Sequence, residues 1–157
     1  MDGCIFCKIA AGEIPSTTVY EDEDLRVIAD ISPANLGHLL ILPKVHAKDL
    51  TELPAETACK VMITAQKVVK AMQAGLNPDG INVLQNNGEA AGQTVMHYHM
   101  HIIPRYQGDS MQIGWVPMPV LSAQVAEAAD KVRKALEAEK GVLERPWYSP
   151  AAEPAGM

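Results

Sequence analysis

Between Val95 and Ile103 the chain alternates without a break. His97, His99 and His101 occupy one set of positions, and Met96, Tyr98, Met100 and Ile102 the other. A strand sends successive side chains to opposite faces, so only a strand separates these two sets cleanly; a helix would scatter both around its axis. The three imidazoles then share one face at about 6.6 Å between alternate residues, while the apolar set turns to a core. A strand with one wet and one dry face requires partner strands on either side and something apolar over the dry face.

Those partners are legible elsewhere. Thr17 to Tyr20 is β-branched and aromatic and predicts a strand. Acidic Glu21 to Asp24 makes a turn, Leu25 to Ala29 a second strand and His38 to Leu42 a third, bounded by Gly37 and Pro43. Ala58, Val61, Ala65, Val68 and Met72 recur at helical spacing after Pro54, which suits a first turn, and Gly75 is the expected C-terminal cap. Asn77-Pro78-Asp79-Gly80 turns into a fourth strand, Ile81 to Leu84. After the fifth strand, ended by Pro104, a second helix is expected from about Ser122 to Lys140. The pattern predicts an α+β fold: a five-stranded, mostly antiparallel sheet with one long inserted helix and a C-terminal helix. A single domain over residues 1–143 and a Pro- and Ala-rich tail over 144–157 complete the expected organisation.

Composition narrows the function. A net charge of −6 with no basic run disfavours long nucleic acid, whose binding rests on many Lys and Arg. A small phosphorylated ligand remains compatible, because backbone amides and a few histidines hold one phosphate. No apolar stretch approaches the roughly 20 residues of a membrane span. The N-terminus lacks a basic region followed by an apolar one, so a cytoplasmic protein is expected. Three cysteines, Cys4, Cys7 and Cys59, do not make a disulfide framework.

Imidazole attacks phosphorus well when neutral, and an ordinary pKa near 6.5 leaves it mostly neutral at pH 7. A neighbouring imidazole or hydroxyl can hold the phosphoryl oxygens and protonate a leaving group. His-x-His on a strand is also a common metal-ligand pattern, so phosphoryl chemistry and metal binding both stand at this point. Cys4-Ile5-Phe6-Cys7 has zinc-knuckle spacing but is half a site. A redox pair or two unconnected buried thiols are the alternatives, though no strand precedes Cys4 as redox motifs require. Cys59 lies beside the apolar helical stripe and is expected to pack.

His97-Tyr98-His99-Met100-His101-Ile102-Ile103 resembles the signature of the histidine-triad (HIT) superfamily. The loop from Asn86 to Val95, Asp30-Ile31-Ser32-Pro33, and Gly37-His38-Leu39-Leu40-Ile41-Leu42-Pro43-Lys44 resemble that family too, so the likeness spans about Cys4 to Arg105. It implies a nucleotide hydrolase or nucleotidyl transferase acting at the α-phosphate through a nucleotidyl-histidine. By the resemblance His99 is the nucleophile, His101 contacts phosphate, His38 supports the network, and Gln93 and Thr94 bond phosphate and leaving group. It places Asn86 near phosphate and ribose and Asp30 on the ribose hydroxyls. Ile5, Phe6, Ile9, Ile28 and Ile31 match the base pocket. Taken singly, Ile9, Ile28 and Ile31 also read as ordinary core, and Asp30 and Asn86 as turn residues.

Bacterial members of the family further suggest Cys4, Cys7, His46 and His97 as the four ligands of a structural zinc, which removes His97 from the chemistry. The implied partner is a purine nucleotide of AMP or GMP type, or a nucleoside-phosphate conjugate. The likeness also implies a homodimer, with sheets meeting across a two-fold axis; the amphipathic helix from Glu56 to Ala74 is a candidate for such an interface. Phosphoramidates, dinucleoside polyphosphates and transfer to phosphate or a sugar phosphate are the competing reactions. A nucleotide-binding or zinc-dependent regulatory module with little turnover is the alternative in kind, against which an intact His99 argues.

Overall fold

In a computed structural model, residues 3–114, 116–119 and 121–138 are described. The elements run α1 (Ile5–Ala10), β1 (Thr18–Glu21), β2 (Leu25–Ala29), β3 (Leu39–Pro43), α2 (Ala55–Leu76), β4 (Gly80–Gln85), a 3₁₀ turn (Glu89–Ala91), β5 (Met100–Arg105) and α3 (Ser122–Ala138). The strands form one sheet in the order β1-β2-β3-β5-β4, every neighbouring pair antiparallel. The α+β architecture with a long inserted helix is therefore as expected. Residues up to Met111 form one compact unit and those after it another. In the second, α3 turns Val125, Val132 and Leu136 to solvent. The expected tail at 144–157 and the last two residues of the second expected helix lie outside the described residues.

The period of two decides which layer each residue joins. Leu25 and Val27 of β2, Ile41 of β3, and Met100 and Ile102 of β5 turn to α2, whose Val61, Ala65, Val68 and Met72 complete the main core with Tyr98. Ile28, Leu40 and Leu42 turn to the other face, where Ile9, Phe6 and Ile14 cover them. His101 pairs with Leu40. It therefore lies on this second face, under α1.

A helix of six residues does not stand alone in water. α1 is held by the burial of Ile9 and Ala10 and by the Arg26 guanidinium, which donates to the Ile9 carbonyl at the helix's C-terminal end. Arg26 is itself held by Glu21 at 2.7 Å, which also pairs with Lys44 at 2.8 Å.

Three expectations are corrected. Gly75 is inside α2; the cap is Asn77, in the left-handed region at φ 47°, its N–H returning to the Gln73 carbonyl. Cys59 is exposed, not packed. The fifth strand begins at Met100 instead of Val95 and runs through Pro104 to Arg105. Pairing of β3 with β5 ends at Ile41 and Met100. Continued register would set Pro43 against Tyr98, and proline has no N–H to donate. The Tyr98 N–H instead donates to the Ala47 carbonyl at 2.7 Å. Pro104 is tolerated because it lies past the last paired residue of β3, with β4 as its ladder partner through Ile81.

Candidate functional site

Residues 95–99 are not in the ladder, and 95–97 bend, the His97 N–H returning to the Val95 carbonyl at 2.9 Å. From Tyr98 on the alternation holds, with Tyr98, Met100 and Ile102 in the core, and the three imidazoles gather on the α1 side. They do not form one row of equals. His97 faces Cys4, Cys7 and His46, while His99 and His101 lie together with ring centroids 4.9 Å apart, and His38 adjoins His101.

The hydrogen bonds assign a tautomer to each ring. His97 Nε2 lies 2.9 Å from the Pro43 carbonyl, which only accepts, so Nε2 carries the proton and Nδ1 a lone pair. His99 Nδ1 lies 2.7 Å from the His97 carbonyl, so Nδ1 donates and Nε2 keeps the lone pair. The Ala34 N–H donates to His38 Nδ1 at 3.1 Å, which puts the His38 proton on Nε2. That Nε2 lies 2.9 Å from His101 Nδ1, so His38 donates and His101 carries its proton on Nε2. His38, His97 and His99 are thus oriented through a backbone group, and His101 through His38.

Burial pushes His101 down to about 4, with His99 and His38 pushing the same way and Asp30 opposing. Burial also lowers His38, against Asp30, and His97, against its bond to the Pro43 carbonyl. These rings are neutral at pH 7. The burial of the Cys7 thiol, with Cys4 beside it, pushes it up to about 11.

Two clusters hold three or more metal-ligating groups among the described residues: Cys4, Cys7, His46 and His97, and separately Asp30, His38 and His101. In the first, Cys4 Sγ and Cys7 Sγ lie 3.5 and 3.4 Å from His97 Nδ1, Cys7 Sγ lies 3.2 Å from His46 Nδ1, and the two Nδ1 atoms are 3.3 Å apart. Tetrahedral zinc, with bonds of about 2.3 Å to sulfur and about 2.0 Å to nitrogen, separates two nitrogens by about 3.3 Å and nitrogen from sulfur by about 3.5 Å. The quartet fits, and the bond to Pro43 is the outer contact that a ligating histidine makes. The second cluster does not fit: the Ala34 N–H occupies His38 Nδ1, so the Nε2 facing His101 carries a proton and cannot ligate.

The remaining expected residues separate. Phe6, Ile9 and Ile28 come together, with Phe6 edge-on to His99 at a centroid distance of 5.0 Å, while Ile5 is half exposed and Ile31 is 97% exposed. Asp30 Oδ1 takes the Ser32 N–H at 2.8 Å as a turn cap, and Oδ2 lies 3.7 Å from His38 Nε2. Asn86 is half buried, next to Gly92. Thr94 is exposed. Gln93 was expected at the phosphate, but it is buried and its amide is spent on the loop. Its Oε1 accepts from the Gly88 N–H at 2.8 Å and its Nε2 donates to the Lys48 and Val95 carbonyls at 2.7 and 3.0 Å. Among the groups that sequence reasoning missed are the Ala34 N–H and the carbonyls of Pro43 and His97. Main-chain groups leave no residue-type signal.

An antiparallel sheet with a buried, tautomer-fixed histidine cluster on one face is the architecture of this α+β chain, and comparison gives the family. Residues 11–108 match the HIT domain model. The Bacillus subtilis protein hit is 48% identical over 115 residues, covering 73% of this chain and 79% of its own. Adenosine 5'-monophosphoramidase hnt1 of Schizosaccharomyces pombe is 36% identical over 130 residues, 82% of this chain and 95% of its own. Among solved structures, a Streptococcus mutans protein superposes with a TM-score of 0.82 at 39% identity, covering 87% of both chains. A Zn-bound histidine triad family protein from Mycobacterium smegmatis does so with a TM-score of 0.67 at 41% identity, covering 74% of this chain and 85% of that one. The chain belongs to the HIT family.

Proposed function

We propose that this chain is a nucleotide hydrolase that cleaves a phosphorus–heteroatom bond at the α-phosphate of a purine nucleotide, with nucleoside phosphoramidates as the leading substrate class and dinucleoside polyphosphates next. The observation that carries this is the pair of opposite tautomers: His99 presents a bare Nε2, and His101 beside it presents an Nε2–H. One is a nucleophile and the other a donor to the phosphoryl oxygens. The name of the fission-yeast relative, a monophosphoramidase, supports the substrate class.

His99 Nε2 attacks the α-phosphorus and the phosphorus–nitrogen bond breaks, the amine leaving with a proton taken from solvent on the exposed Thr94 side, a proton that the water of the second step returns to solvent. Water then attacks phosphorus, the Nε2–phosphorus bond breaks, and the nucleoside monophosphate leaves with His99 neutral again. Charge that builds on the phosphoryl oxygens meets His101 Nε2–H, which needs no prior protonation to donate. Asp30 Oδ2 accepts from the ribose, Asn86 lies toward ribose and phosphate, and Phe6, Ile9 and Ile28 form the apolar wall for the base, with Ile5 and Ile31 at its rim. Gln93 acts by holding its loop.

Cys4, Cys7, His46 and His97 hold zinc in this reading. Closed by four protein ligands, the ion supplies structural fastening of α1 to the triad segment. Near-stoichiometric zinc in protein purified without chelator is expected, and its absence sinks the site. The exposed Met62, Ile63 and Val83, on α2 and the edge strand β4, form the contact of a homodimer; sedimentation at micromolar concentration should give twice the chain mass.

The deciding experiment is His99→Ala on adenosine phosphoramidate. Loss of at least about 10³-fold in kcat/KM with an unchanged melting temperature is expected. A variant as active as wild type overturns the assignment.

A further inference from the structure

The tautomer chain has to start somewhere rigid. His38 and His101 take theirs from the Ala34 N–H, which sits in the loop between Asp30 and β3 rather than in the sheet. What fixes that loop is Asn35. Its Nδ2 donates one hydrogen to the Pro104 carbonyl at 2.9 Å and the other to Asp109 Oδ2 at 2.8 Å. Its own carbonyl accepts the His38 N–H at 3.0 Å, so the two ends of the turn are tied. Pro104 lies beyond the last residue of β5 that β3 pairs with. Asn35 therefore supplies, from a side chain, the donor that a longer β3 would have supplied from its backbone.

The other anchor is stiff as well. Asp109 is 8% exposed at its side chain and is gripped bidentately by Arg105, at 2.7 Å to Nε and 2.6 Å to the terminal nitrogen. Arg105 ends β5 and also reaches Asn82 Oδ1 on β4 at 2.6 Å. The Arg105 guanidinium and the Tyr106 N–H hold the Asp109 carboxyl well below the usual carboxylate range, so it stays an acceptor for Asn35 across the working pH. Gly37, at φ +95°, lets the turn lie against Pro104, where a Cβ would come within 3.3 Å of the proline ring.

We propose that Asn35 is a positioning residue: by tying the 34–38 turn to Pro104 and Asp109 it aims the Ala34 N–H at His38 Nδ1, and so fixes the tautomer and orientation of His38 and, through it, of His101. The inference rests on the phosphoryl-transfer reading for its effect on rate, but not for its effect on tautomers. Without Asn35 the Ala34 N–H is free to leave His38. The His38 proton can then move to Nδ1, Nε2 becomes an acceptor, and His101 turns a lone pair where a phosphoryl oxygen needs a donor.

The test is Asn35→Ala in the full chain, purified without chelator, read in two ways. Long-range proton–nitrogen spectra of the imidazoles, taken without substrate, should show a single Nε2–H form at His38 and His101 in wild type and added Nδ1–H forms at both in the variant. On adenosine phosphoramidate, kcat should fall about tenfold with KM within about twofold, since orientation is lost while nucleotide contacts remain. Asn35→Ser keeps a small polar side chain too short to make both bonds, and serves if Asn35→Ala fails to fold. Wild-type tautomers together with wild-type kcat overturn the proposal. A merely structural role would lower the melting temperature and leave the ring spectra alone. His99→Ala run in parallel separates the two claims: a fully active His99→Ala sinks the nucleophile while the ring spectra still judge Asn35.

Discussion

Two groups of histidines lie side by side in this molecule and are wired in opposite senses. At Cys4, Cys7, His46 and His97, lone pairs converge: His97 spends its one proton outward on Pro43 and turns Nδ1 inward. At Ala34, His38 and His101, donors and acceptors alternate, each group giving to the next. The residue types are similar and the spacings overlap. What separates a cluster of converging lone pairs, fit for a metal, from a hydrogen-bond relay is which ring nitrogen meets a backbone group, and whether that group donates or accepts.

The largest test of this division is His101→Ala. It should lower kcat on adenosine phosphoramidate by about 10²- to 10³-fold, the usual cost of one donor to a developing oxyanion, while zinc measured by elemental analysis stays as in wild type. Zinc lost along with activity would mean that the groups are not separate. Cys7→Ser should do the reverse. Zinc content should collapse, the melting temperature should fall by on the order of 10 °C, and the activity that remains should scale with the fraction still folded.

Acid provides a weaker probe of the relay. His101 is held down to about 4 and His38 is lowered as well, both chiefly by burial. Between the ordinary value near 6.5 and the folded value, the unfolded chain binds protons that the folded chain does not. The stability these rings contribute is therefore full above about pH 6.5 and is lost as pH falls toward 4. Urea midpoints at pH 7.5, 6 and 5 should fall in that order, and less steeply in His101→Ala; an unchanged slope would remove His101 from the relay. The smallest effect belongs to the third thiol. Cys59→Ser should change stability by no more than about 0.5 kcal/mol and leave zinc content untouched, because Cys59 is exposed on α2.

The alternation at 98–102 was enough to place apolar and histidine faces correctly, because side-chain direction follows from local backbone geometry, whereas Met96, in the bend before it, is not among the core residues. It was not enough to say where the ladder began, since that depends on Pro43 across the sheet lacking an N–H. The α2 helix was visible in its stripe of Val61, Ala65, Val68 and Met72, but its end was not. Gly75 is conformationally free wherever it sits, and Asn77 caps because the chain must turn there toward Pro78. Gln93 was visible as a polar residue beside the histidines. That its amide is consumed by Gly88, Lys48 and Val95 follows from a loop closure no local pattern encodes. Asn35 and Arg105 were passed over for the same reason: their partners lie about seventy and twenty residues away in the chain.

The bond from His99 Nδ1 ends on the carbonyl of residue 97, not on its ring. Any amino acid at position 97 would offer that oxygen. The first histidine of the motif is thus replaceable as far as orienting His99 is concerned, and its own ring is engaged by its sulfur and nitrogen neighbours. A descendant that shed Cys4 and Cys7 would be under no chemical pressure to retain it. A search pattern that insists on three histidines would then discard a working enzyme that has two.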